Sequence, residues 1–358
     1  MDQVSDHTSR AGQGRFLDAP LEDRPEELPR SVLQPTQALP AINLRATAIL
    51  MLGIYVSAIG ASALLEIGAP ILNGVPLCLT AAVVLLTYGR KTFPNAARTV
   101  LLVEAVCAVI VLGLSLACLS YLAAAIDLPL RDPELVRLDR YLGFDWLKSM
   151  QSLDGRPRLL DLLDAAYATF TFQLIATVLI LVQANRPRDL DRFFITFICA
   201  SVISELASIM IPTLGPMSAL AAHSSFANLP TLGRTTAEIV IALRDGTLKE
   251  IDADAVNGII SFPSLHAAVA VIVPFSLCWN RALLGAVIVL DSAMLASAVP
   301  CGNHYLMDVV GGVITAALAI VCSRPVQNLL DPPWACETAE AGPHACARPR
   351  RRAVSASE

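Results

Sequence analysis

The sequence predicts an all-α integral membrane protein. Its 358 residues are 55% hydrophobic and 16% charged, against about 25% charged in soluble domains. The apolar residues gather into runs close to the roughly 20 residues a helix needs to cross a bilayer. The polar connections between the runs contain no internal repeat and nothing that reads as a soluble domain.

Eight such runs fall at 46–66, 70–88, 99–126, 160–183, 192–212, 259–279, 282–299 and 304–323. Each is read as a membrane-spanning helix, the seventh being the shortest. Residues 1–40 are polar and carry Pro20, Pro25, Pro29, Pro35 and Pro40, a composition that cannot bury enough apolar surface to fold. They are expected to form a disordered cytoplasmic tail. Residues 41–126 form the N-terminal membrane helices, 127–325 the catalytic membrane core, and 326–358 a second disordered tail. Within the core, the connection 127–159 alternates apolar and charged residues at helical spacing. With Tyr141, Phe144 and Trp146 it reads as an interfacial helix near the active face.

Eight spans put both termini on one side. The short loops of that side hold Arg90, Lys91, Arg98, Arg186, Arg188 and Arg281. The long loops 127–159 and 213–258 opposite mix their basic residues with many acids. Positive charge concentrated in short loops marks the cytoplasmic side. The expectation is a multi-pass protein of a bacterial inner (plasma) membrane, its active site facing the periplasm or exterior.

Composition also excludes functions. No basic stripe with interleaved aromatics points to nucleic acid. The nine cysteines include no Cys-x-x-Cys pair, so neither a disulfide framework nor a zinc site is expected. No metal or cofactor is called for, because arginine, lysine and backbone N–H groups can offset phosphate charge.

The chemistry centres on two histidines. His266 and His304 are 38 residues apart, enough for the chain to cross once, turn and return. Both then lie at one membrane face, each near a helix start. His304 and Asp308 are four residues apart and share a helix face. A carboxylate there accepts a hydrogen bond from one imidazole nitrogen and raises the basicity of the other, leaving a nucleophile competent toward phosphorus. In Pro263-Ser264-Leu265-His266 the proline is tolerated early in a helix, and Ser264 adds a hydroxyl to a first turn whose free N–H groups suit an anion. His266 can protonate a departing alkoxide. The loop before it supplies Arg234, Arg244 and Lys249 as candidate phosphate-binding cations. Arg244 is the first choice, because its planar fork matches phosphate oxygens.

These residues resemble the second and third signature motifs of the type 2 phosphatidic acid phosphatase superfamily, which also contains the vanadium haloperoxidases. The second motif is commonly Pro-Ser-Gly-His, and here it is Pro263-Ser264-Leu265-His266. The third is Ser-Arg, five residues, His, three residues, Asp. Ser297, His304 and Asp308 fall in register, with Ala298 in the arginine position. Phe262-Pro263-Ser264-Leu265-His266 with His304-Tyr305-Leu306-Met307-Asp308 is most similar to the inositol phosphorylceramide synthase branch. With the eight apolar runs, the resemblance implies about eight transmembrane helices, of which six form a phosphatase/haloperoxidase-like core. It implies His304 as a nucleophile forming a phosphohistidine, Asp308 as its orienting partner and His266 as the acid. The first motif, Lys followed six residues later by Arg-Pro, is absent; Arg186-Pro187 lacks the lysine. The expected activity is transfer of a phosphoryl group from a membrane lipid phosphate ester to water or to an alcohol such as inositol. The alternatives are a catalytically decayed transport or scaffold protein on the same fold, and a vanadate-dependent haloperoxidase.

Overall fold

The computed structural model describes residues 45–74, 97–221, 224–230, 232–251 and 258–330. Among these are twelve α-helices and a short 3-10 helix at Pro70–Gly74. In chain order the α-helices are α1 Arg45–Leu65, α2 Ala97–Ala124, α3 Asp132–Tyr141, α4 Trp146–Asp154, α5 Pro157–Tyr167, α6 Phe170–Gln183, α7 Pro187–Met210, α8 Pro216–Ala221, α9 Leu232–Arg244, α10 Leu265–Leu277, α11 Arg281–Cys301 and α12 Leu306–Leu330.

Helix is the form in which an apolar chain satisfies its own backbone within a bilayer. Its limits here follow local chemistry. Pro133, Pro157 and Pro187 occupy first-turn positions, where a missing N–H costs nothing. Asn280 caps α11 by accepting from the Ala282 and Leu283 N–H groups at 3.1 and 3.2 Å. Ser264 caps α10, its hydroxyl accepting from Ala267 N–H at 3.4 Å.

Among the described residues five helices are long and apolar enough to cross a membrane: α1, α2, α7, α11 and α12. The pair α5–α6 qualifies as a sixth span if its 43° bend is counted as one broken crossing. The first, third, fourth, fifth, seventh and eighth predicted runs correspond to these elements. The second, 70–88, begins as the 3-10 helix and from residue 75 lies outside the described residues. The sixth, 259–279, needs correction. Its helix is the 13-residue α10, too short to cross alone, because Pro263 and the capping Ser264 delay its start. The count of eight spans is therefore met only in part. The predicted tails lie outside the described residues, apart from 326–330, where α12 continues.

Short α10 sits at the centre. It packs against α6, α7, α11 and α12 and buries Ala267, Ala268, Val269, Ala270, Ile272, Val273 and Leu277. Three small alanines let neighbouring helices approach, the usual basis of helix association in lipid. The approach to α12 is tight. A Cβ on Gly312 would stand 2.8 Å from the Ala267 methyl and would meet the Ser264 carbonyl. Only glycine lets α12 lie against the start of α10, and this brings the second motif onto the third. Around them Leu112, Leu181, Phe193, Phe194 and Met294 complete the main core. Leu64, Phe172, Val289 and Val321 face outward, as lipid-contacting positions do.

Candidate active site

The two motif segments meet at the start of α12. His304 lies in the turn between α11 and α12 and is almost fully buried. Its Nδ1 is 3.3 Å from Asp308 Oδ2 and its Nε2 is 3.1 Å from Ser264 Oγ. Asp308 Oδ2 also accepts from Ser261 Oγ and from Tyr305 N–H, each at 2.9 Å. These donors keep the acceptor oxygen in front of Nδ1. The consistent tautomer carries its proton on Nδ1, donated to Asp308, and keeps the Nε2 lone pair for the Ser264 hydroxyl. The backbone closes the same join, with Ser264 N–H donating to Asp308 carbonyl at 3.0 Å.

His266 is held differently. Its ring stacks on Tyr167, centroids 3.9 Å apart and planes 12° from parallel, and lies 4.4 Å from the Phe170 ring. Tyr167 ends α5 and Phe170 begins α6, so the two rings flank the bend. Gly302 joins the two histidine environments. A Cβ there would come within 2.7 Å of both the His304 ring and the Tyr167 ring.

The amphipathic α3 is tied directly to this end. Asp139 accepts from the first N–H groups of α12, Leu306 at 3.0 Å and Met307 at 2.9 Å, and so caps the helix from outside its own chain segment. Asp132 accepts from Leu214 N–H at 3.1 Å, Gly215 N–H at 2.9 Å and the Tyr305 hydroxyl at 2.9 Å. Burial pushes both carboxyls above their usual range, and these hydrogen bonds offset part of the rise. Burial, followed by the neighbouring Asp132 charge, pushes the Tyr305 phenol up, keeping it a neutral donor. Asn303, with φ 56°, completes the turn. Its side chain accepts from Met217 N–H at 2.9 Å and donates to the Leu214 carbonyl at 3.1 Å.

The candidate cations occupy other places. Arg244 forms an ion pair with Asp127 at 2.7 Å and donates to the carbonyls of Ile126 and Leu128. It nevertheless lines a cleft that also contains Ser120, Thr213, Ser261 and Phe262. Arg234 donates to the Ser224 carbonyl. Lys249 is exposed. Among the described residues no arginine or lysine bonds to Ser264, His304 or Asp308. Ala298, at the motif's arginine position, is completely buried.

The structure thus brings together Ser264, His304 and Asp308, with His266 set beside them through Tyr167 and Gly302. Sequence reasoning gave no role to Ser261, Asn303, Tyr305, Asp132, Asp139 or Tyr167. Asp132 and Asp139 did leave a signal: spaced with Leu135 at i, i+3 and i+7, they put acids on the buried stripe of an amphipathic helix.

A family model described as the PAP2 superfamily matches residues 133–322. Comparison with curated proteins and with solved structures gives no match.

Proposed function

Because the chain belongs to the PAP2 superfamily, a family of phosphatase type, we propose that it is a membrane enzyme that moves a phosphoryl group from a lipid phosphate ester through a phosphohistidine on His304. The observation that supports this reading is the chain of contacts Ser264–His304–Asp308. It supplies a lone pair on Nε2 and a carboxylate to stabilise the imidazolium that forms on attack.

In the first step the Ser264 hydroxyl turns from Nε2 toward a phosphate oxygen, and Nε2 attacks phosphorus. The P–N bond forms as the ester P–O bond breaks, and His266 gives its proton to the departing alkoxide. In the second step His266 takes a proton from water or from an alcohol, whose oxygen attacks phosphorus and releases His304. Water gives hydrolysis; an alcohol such as inositol gives transfer. The Phe262–His266 pentad favours transfer by its resemblance to the inositolphosphotransferase branch. The N-terminal turn of α10 and the proton that enters on His266 with the substrate offset the phosphate charge. Arg244 joins them if substrate draws it from Asp127 across the shared cleft. The charge bias of the loops favours an exterior or periplasmic site.

Among the described residues no cation bonds to Ser264, His304 or Asp308, and Ala298 is buried; this favours a second reading: a transport or scaffold protein on a decayed site. Purified protein incubated with a panel of labelled lipid phosphates, with and without inositol, separates the two. Free phosphate or a new labelled lipid, abolished by His304→Ala, supports the enzyme. No turnover of any member by folded protein sinks it.

A further inference from the structure

At the end of the helices opposite the histidines, three elements converge on a group of arginines. Asp191 of α7 accepts from Gln327 of α12 at 2.9 Å and from Thr47 of α1 at 2.8 Å. This pins the start of α7 to the end of α12 and makes Arg192, next to Asp191, and Arg324, one turn before Gln327, neighbours of like charge. The last turn of α10 and the residues after it supply two rings. Arg192 lies over Phe275, its guanidinium carbon 4.6 Å from the centroid, and Arg186 lies over Trp279 at 4.4 Å. Phe275, in the last turn of α10, and Trp279, just past its end, thus each seat one guanidinium.

The electrostatics are incomplete. The acid beside Arg192, Asp189, is already paired with Arg186 at 2.9 Å. Among the described residues no carboxylate forms an ion pair with Arg192 or Arg324. Arg192 Nε is shut away from solvent and has no hydrogen-bond acceptor. A buried N–H on a charged group with nothing to donate to is costly. The negative ends of α10 and α12 attract cations generally, but such attraction leaves this donor unsatisfied. An acceptor with two or more anionic oxygens would bridge the outer N–H groups of Arg192 and Arg324 and remove the repulsion. Phosphate has that geometry. The flanking Trp279, about one-third exposed, is of the kind found at the headgroup level of a bilayer.

We propose that Arg192 and Arg324, with Arg186 and Trp279 at the rim, bind a phosphate group at the membrane end opposite the histidines, either the headgroup of an anionic lipid or a free phosphate. This site is separate from the phosphoryl-transfer chemistry and does not depend on it. Basic pockets between membrane helices take anionic headgroups on these physical grounds.

Delipidated full-length protein in neutral detergent, given equal phosphatidylglycerol and phosphatidylcholine, tests the lipid source by native mass spectrometry. The expected result is at least ~10-fold preferential retention of phosphatidylglycerol. Arg192→Gln combined with Arg324→Gln removes the preference, and Arg188→Gln, at an exposed position, keeps it. Arg324→Gln alone, also at an exposed position, guards against misfolding of the double variant and lowers the preference at least ~3-fold. A parallel melting curve with inorganic phosphate and no lipid tests the free anion. A rise in melting temperature that the double variant lacks, without lipid preference, identifies free phosphate as the ligand. Equal retention of both lipids with no phosphate-dependent rise overturns the proposal, as does a preference that survives the double substitution.

Discussion

The two histidines sit in opposite kinds of surroundings. His304 is held by hydrogen bonds at both nitrogens, in a network that continues through Ser261, Tyr305, Asp132 and Asp139. His266 is held by faces, between Tyr167 and Phe170, and among the described residues no hydrogen bond fixes its nitrogens. Hydrogen bonds specify tautomer and direction, which a nucleophile needs throughout its attack. Stacking fixes the plane of the ring and leaves its nitrogens available to exchange protons, which suits an acid that must become a base one step later. The division also follows the fold. His304 is anchored to the join of α10, α12 and α3, while His266 leans on the bent pair α5–α6.

The sharpest way to break this contrast is to remove the proposed nucleophile. His304→Ala is expected to lower turnover of a labelled lipid phosphate by at least ~10³-fold, with melting temperature and membrane yield little changed. Residual activity near wild type would remove the nucleophile from His304. Asp308→Asn comes next. It keeps the shape but puts an amide where three donors converge, so activity should fall ~10²-fold, with a lower melting temperature. A loss confined to melting temperature would make Asp308 a structural cap alone.

The stacked side predicts a smaller, graded response. Tyr167→Ala frees the His266 ring and should lower kcat ~10-fold with KM nearly unchanged, while Tyr167→Phe should retain most activity because the ring face remains. Equal losses in both variants would mean that the hydroxyl, and not the stack, matters. The smallest effect lies outside the site. Asp154 accepts from the Ala227, Asn228 and Leu229 N–H groups, which hold its carboxyl below the usual value of 3.8. A carboxyl depressed in the folded state stabilises it fully above the unfolded pKa and loses that contribution as pH falls through the folded one. Hydrogen exchange of 224–230 should therefore quicken below pH 3.8, and Asp154→Asn should reproduce the change at neutral pH. Exchange that ignores both would show that the loop is held by Trp146 and Phe226 alone.

How far these features could be read in the sequence depended on the distance over which each contact acts. His304 and Asp308 were legible because four residues on a helix are neighbours by geometry alone. That Ser264 belonged at the same face followed from span length, but its 3.1 Å contact with His304 Nε2 required Gly312, whose role appears only when α12 meets α10. The apolar run 259–279 overstated a helix, since hydrophobicity does not register that Pro263 and Ser264 set its start. Arg244 looked unengaged in sequence, yet it pairs with Asp127 at the foot of α2, a contact between distant segments that charge counting cannot anticipate. Asp132 and Asp139 stood in a segment read as interfacial. Their work as caps for the turn at 214–215 and for α12 is tertiary.

The shortness of α10 bears on which molecules can react at all. Its 13 residues rise about 20 Å, against a hydrocarbon layer of about 30 Å. A helix of that length leaves the rest of the layer to its longer neighbours α7, α11 and α12, which wall its first turn. Under the proposed function, a substrate tethered by acyl chains would approach that turn from the side, within its own leaflet, whereas a water-soluble ester would first have to leave bulk solvent.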